Sequence, residues 1–154
     1  MAETAMASHL RPARSADQPA IARMVRAAGL LPFGLDWPRF LVAERAGRIV
    51  GAGQLKLHRD GSREIASLAV LEGYRRRGIG SMLVRALLGQ TDRPIFVICP
   101  AHLEVYYGRF GFRRAAAKDL PPYFLAVACA ARLVGLLRRL RGRRRDVLIL
   151  RRTE

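Results

Sequence analysis

Hydrophobic and polar positions change period several times along the chain. "HLRPAR" reads as a short extended segment. In "SADQPAIARMVRAAG", Ile21, Met24, Val25 and Ala28 recur at helical spacing, which predicts a helix with one apolar face. Ser15 and Gln18 have the spacing of a capping box, and Gly29 stands where a helix would stop. "LLPFGLDWP" predicts a loop or short helix. The period then shortens. "RFLVAERAGRIVGAGQLKL" predicts two strands around a turn at Ala46-Gly47, and "HRDGSREIASLAV" a second turn at Asp60-Gly61 and a third strand. Strands joined so tightly must be antiparallel.

Further on, "SMLVRALLGQ" reads as helix, "RPIFVIC" as a buried strand, and "HLEVYYGRFG" as a helix stopped by Gly111. "FRRAA" is a strand candidate, "PYFLAVACAARLVGLLRRLRGRRR" a long helix running into basic residues, and "DVLILRR" a closing strand. The order predicts an α/β fold: a single mixed, mainly antiparallel sheet flanked by helices, with an extra C-terminal helix before the last strand. No repeat or linker interrupts residues 1–154, so a single domain is expected.

Composition narrows the picture. With 154 residues and 51% hydrophobic content, the chain can bury a core without metals or disulfides. Cys99 and Cys129 stand in apolar surroundings and read as buried, reduced thiols, and no Cys/His spacing suggests a metal site. The N-terminal stretch has no apolar core of signal-peptide length, and the longest apolar run, Pro121 to Ala131, stops at Arg132, short of a transmembrane helix, so a soluble cytoplasmic protein is expected. The 28 basic and 12 acidic residues leave +16, which favours anionic company. All the basic residues but Lys56 and Lys118 are arginines, so an arginine-heavy composition explains the balance equally well.

The chemistry concentrates in "YRRRGIGSML", between the third strand and a helix. A helix N-terminus offers unpaired N–H groups and a partial positive charge, which suit a phosphate when glycine lets the backbone approach. Gly78 and Gly80 would permit that approach, and Arg75, Arg76 and Arg77 would add charge. A Walker A loop is excluded because no Lys-Ser/Thr follows the second glycine. A dinucleotide fingerprint would need glycine at Leu83. Taken alone, the motif reads equally well as a basic loop opening a helix.

Its surroundings decide. Arg-x-x-Gly-x-Gly after "LAV", followed downstream by "VYYGRFGF", resembles the GNAT superfamily of acyl-CoA-dependent N-acyltransferases. Arg75, Gly78 and Gly80 match its acyl-CoA motif, and Tyr106, Tyr107, Gly111 and Phe112 match its aromatic-Tyr-x-x-x-Gly-Phe element. The resemblance spans residues 8–116 and the last strand. It implies acetyl-CoA as co-substrate, no metal, and direct transfer to an amine. The cofactor site it implies uses the backbones of Leu68, Ala69 and Val70 and of Arg75, Arg76, Arg77, Gly78, Ile79, Gly80 and Ser81.

By the same resemblance Tyr107 is the proton donor to the leaving thiolate, with aromatic packing as the alternative. Glu64, eleven residues before Arg75, is the base candidate, with a pairing to a nearby arginine as the alternative. His58 and His102 read as solvated loop histidines, and Asp36 and Trp37 as candidates for acceptor specificity. One departure stands out. Many relatives carry Asn seven residues before the tyrosine, whereas this chain has Pro100 there and no Asn anywhere. A side-chain contact to the cofactor from "CPAH" is therefore in doubt.

Between Arg132 and Arg152 nine arginines face only Asp146, a net of +8. Because "DVLILRR" returns to the sheet, the preferred reading is a helix packed on the domain or across a homodimer, followed by a solvated basic loop. A membrane surface or nucleic acid is the less favoured partner, since no aromatics interleave with these arginines. The functional expectation is an N-acetyltransferase acting on a small-molecule amine such as an amino acid or toxic amine. A non-catalytic acyl-CoA-sensing or nucleic-acid-binding module is the alternative.

Overall fold

A computed structural model describes residues 7–139 and 146–153. Seven strands and four helices follow in the order β1 (His9–Pro12), α1 (Gln18–Ala27), β2 (Phe40–Arg45), β3 (Arg48–Leu57), β4 (Arg63–Val70), α2 (Ile79–Leu88), β5 (Ile95–Pro100), α3 (Glu104–Gly108), β6 (Arg113–Arg114), α4 (Pro122–Arg139) and β7 (Val147–Arg152). The chain divides into two compact units. One holds the residues up to Lys56 with Ile65–Thr91; the other holds Leu57–Glu64 with the residues from Asp92 onward. Strand β4 runs through both, so the hydrogen-bonded order is β1-β2-β3-β4-β5-β7-β6. Strands β4 and β5 pair in parallel, in the register Arg63↔Ile95 and Glu64↔Phe96. The predicted fold class is therefore the observed one.

In the first unit, α1 and α2 each build a core of their own. Ile21, Met24 and Val25 of α1 pack with Phe40, Val42, Ala52 and Ala69, while Ile79 and Leu83 of α2 pack with Ala43 and Val50. Neighbours Val42 and Ala43 thus serve different clusters, as successive strand residues should. Helix α2 lies very close to β3: a Cβ at Gly51 would come within 2.8 Å of Ile79 Cγ2. The small residues of "VGAG" fix how near the start of α2 comes to the sheet.

Local signals mostly hold. Ala46 and Gly47 both have positive φ (49° and 72°), the backbone of a type I′ hairpin turn. Gly29 (φ 70°) ends α1, with its N–H bonded to Arg26 O and the Leu30 N–H to Val25 O, a Schellman pattern. The Ser15–Gln18 capping box does not form. Residues Ser15–Asp17 make a separate 3-10 turn, and Asp17 takes the capping role by accepting the Arg14 N–H at 2.7 Å. Gln18 turns instead to the following loop, donating to Leu35 O and accepting the Trp37 N–H at 2.9 Å. The second motif helix ends at Gly108, before Gly111, which takes positive φ (85°) in the ensuing turn.

In the second unit β5 pairs antiparallel with β7, from Ile95↔Arg152 to Pro100↔Val147, and β6 adds on the far side of β7. Helix α4 is fastened at its beginning. The Tyr123 N–H donates to Asp60 Oδ2 at 2.8 Å, a cap supplied from 63 residues away. The Asp60 carboxyl is held down to about 2, first by the Ser62 hydroxyl and then by the backbone N–H groups of Tyr123 and Ser62. Phe124 is fully buried and stacks on Phe96 with ring centres 4.4 Å apart.

Candidate active site

In the first unit, β4 leads through the short turn Glu72–Tyr74 into the basic segment and α2. Gly78 has φ 79° in the left-handed region, immediately before the first residue of α2. Open space surrounds the position a Cβ would occupy there, so its backbone conformation, not crowding, demands glycine. The first bond of the helix runs from the Met82 N–H to Gly78 O at 2.9 Å. The N–H groups of Ile79, Gly80 and Ser81 precede it and point out of the helix end. This open, N–H-rich mouth fits a diphosphate.

The three arginines differ. Arg75 Nε donates to Val70 O at 3.2 Å, engaging a carbonyl of the expected cofactor strand. Arg77 lies over the Tyr74 ring at 5.6 Å. Arg76 is exposed and adopts φ 59°, strained for a residue with a side chain. Gly78→Val should raise the KM for acetyl-CoA about tenfold or more, with kcat less affected, because valine resists a left-handed φ. Steady-state kinetics against acetyl-CoA checks this.

Within β4, Ser67 also has positive φ (54°), a kink beside Leu68, Ala69 and Val70. Gln54 of β3 supports it. Its fully buried amide donates to Ser67 Oγ at 3.0 Å and to Gly34 O at 3.2 Å. Its Oε1 is buried with no hydrogen-bond partner among the described residues. The alternation of β3 hides this role, since a lone Gln among small residues gives no periodic signal. The loop that Gln54 and Gln18 hold carries exposed Leu31, Phe33 and Trp37. A shallow groove beside it is lined by Gln18, Leu35, Trp37 and Arg39, among others. Asp36 pairs with Arg39 at 3.2 Å on the surface.

The second unit carries both acid–base candidates. Glu64 is buried, and its Oε2 lies 2.9 Å from His58 Nε2. The expectation of a solvated His58 is overturned. Tyr123 stacks on the imidazole with ring centres 3.6 Å apart, and Phe124 meets it edge-on. Glu64 pairs with His58, a partner that neither of its two readings had named. His102, by contrast, is exposed.

Tyr107 is buried between the rings of Tyr106 and Phe112, at 5.0 and 5.7 Å. Burial first, then Tyr106 and Cys99, pushes its pKa well above that of an ordinary phenol. It therefore stays protonated at neutral pH and can act as a donor. Burial, with a smaller contribution from Glu104, pushes the Cys99 thiol up to about 11, so it is a poor nucleophile at neutral pH. Cys129, expected to be buried, is exposed on α4.

The sequence pattern of the acetyltransferase (GNAT) domain matches residues 36–114 of the chain. No curated protein sequence matches it. Among solved structures, N-acetylglutamate synthase from Neisseria gonorrhoeae, complexed with coenzyme A and N-acetyl-glutamate, superposes with a TM-score of 0.71 at 22% identity, over 95% of this chain and 35% of that one. The chain thus spans about a third of that enzyme. Rv2747 from Mycobacterium tuberculosis, in complex with CoA, gives 0.71 at 22% identity, over 94% and 98% of the two chains. The ribosomal-protein-S18-alanine N-acetyltransferase of Escherichia coli gives 0.67 at 15%, over 95% and 93%. At these identities the likeness is one of fold.

Proposed function

The chain belongs to the GNAT acetyltransferase family, and from that membership we propose that it moves an acetyl group from acetyl-CoA to the primary amine of a small molecule, by direct transfer within a ternary complex. We take residues 1–154 to act as one acetyltransferase domain. The observation that carries the reading is Gly78, left-handed at the mouth of α2 behind Arg75–Arg77. Acetyl-CoA supplies an activated thioester carbonyl. The N–H groups from Arg75 to Ser81 would hold its diphosphate, and the backbone of Leu68–Val70 its pantetheine arm. Glu64 would receive the amine proton, its carboxylate oriented by His58. Tyr107 would protonate the thiolate as it leaves. The high pKa of the Cys99 thiol supports a route without a covalent enzyme intermediate.

A small acceptor is supported by the N. gonorrhoeae enzyme, whose product N-acetyl-glutamate is an acetylated amino acid. The exposed Leu31, Phe33 and Trp37 favour an amine with an apolar portion. Thiol release from acetyl-CoA, measured across amino acids, hydrophobic amines and N-terminal peptides, tests the proposal. Saturable turnover with a small amine is expected. Acetyl-CoA binding without release for any acceptor would mean a non-catalytic sensing module instead.

Glu64→Gln should lower kcat/KM about 10²-fold at neutral pH. The residual activity should climb with pH as more acceptor becomes free amine, narrowing the gap to the parent enzyme. An unchanged rate and pH profile would remove Glu64 from the reaction.

A further inference from the structure

Three consecutive loop carbonyls are each taken by a side chain. Phe33 O accepts from Lys56 Nζ at 3.1 Å, Gly34 O from Gln54 Nε2 at 3.2 Å, and Leu35 O from the Gln18 amide. These residues lie outside every helix and strand, so side chains supply the hydrogen bonds that a ladder would give. Gly34 takes φ 64°, and Lys56 Nζ stands 3.3 Å from the place its Cβ would fill, so glycine lets the lysine cross.

Gln54 differs from the other two donors. Lys56 and Gln18 are partly exposed, whereas Gln54 is wholly buried. Gly34 O can only accept, which fixes Nε2 rather than Oε1 on that side. The second hydrogen of the same nitrogen goes to Ser67 Oγ at 3.0 Å, at the kink of β4. Oε1 has no hydrogen-bond partner among the described residues. Burying an unpaired carbonyl opposes stability, and an aliphatic side chain of similar size would fill the space without that cost. What only the amide can do is join the loop to the kink.

We propose that Gln54 is a positioning residue for acetyl transfer, its NH2 group fixing the loop of residues 33–37 against the kinked strand that carries residues 68–70. The inference rests on the proposed reaction, with the loop at the amine and β4 at the thioester. Both reactants are then placed by one side chain, and a misplacement of about 1 Å between them costs on the order of 10²-fold in rate.

Trp37 is the only tryptophan of the chain, so acrylamide quenching of its fluorescence reads the loop without any substrate. Gln54→Leu should raise the quenching constant about twofold, because the loop loses its buried anchor. Kinetics use the fastest amine among those assayed above, 2-phenylethylamine included. The KM for that amine should rise about tenfold or more, while the Kd for CoA by calorimetry stays within a factor of about three, since the mouth of α2 is untouched. Ser67→Gly tolerates the positive φ and removes the hydroxyl, so it should lower kcat about tenfold and leave the quenching at the parent's value. In an active parent, a quenching constant or an amine KM left unchanged by Gln54→Leu overturns this inference alone. Loss of CoA binding in that variant does the same, by making Gln54 a general prop of the fold. If Gln54→Leu does not fold, Ser67→Gly decides, and an unchanged kcat there overturns the inference. A parent that acetylates no amine removes the acetyl-transfer reading itself, and this inference with it.

Discussion

Tyr107→Phe is expected to lower kcat about 10²-fold while leaving the KM for acetyl-CoA within a factor of about three. The ring environment is kept, since phenylalanine can still meet Tyr106 and Phe112 edge-on. Only the hydroxyl is lost. Because burial raises the phenol's pKa, the parent enzyme should show no loss of activity from Tyr107 ionisation up to about pH 10. A thiolate generated without a donor must leave as an anion, so the chemical step itself should slow. Single-turnover kinetics isolates that step from product release. Undiminished turnover in the variant would leave Tyr107 with a packing role alone.

Arg11→Met should destabilise the protein by roughly 2–3 kcal/mol, and lower its melting temperature by roughly 5–10 °C. Arg11 on β1 joins two carboxylates: Nε donates to Glu44 at 2.6 Å and the guanidinium's other nitrogens to Asp17 at 2.7 and 3.1 Å. All three side chains are largely shielded, at 17%, 22% and 11% exposure. Methionine would fill the space but leave two neighbouring anions without their cation. The acid dependence has a definite sign. Arg11, and after it the Arg14 N–H, holds the Asp17 carboxyl below the usual aspartate value against the opposing effect of burial. That contribution is complete above about pH 4 and fades as pH falls through the lower folded value. Urea unfolding of parent and variant should therefore differ fully at pH 7 and by less at pH 3. A constant gap at both pH values would assign the loss to packing.

Much of this protein could be read from its sequence because the relevant signals are local. Ala46-Gly47 and Gly29 act through their own φ angles, and the 3.6- and 2-residue periods distinguish helix from strand within a few residues. Arg75, Gly78 and Gly80 likewise sit in one short stretch, so the glycine-led opening of α2 was legible there. Tertiary structure alone decided the rest. His58, Glu64 and Tyr123 come from three segments, and nothing in the sequence around His58 foretells the ring that covers it. Gln54 and Ser67 lie on different strands, and the kink they share leaves "EIASLAV" looking like an ordinary strand. Helix α4 was legible as a mostly apolar helix, while the exposure of Leu125, Cys129 and Leu133 was not. Helical periodicity reports which residues share a face, but only the packing of other elements determines whether that face meets the core or the solvent.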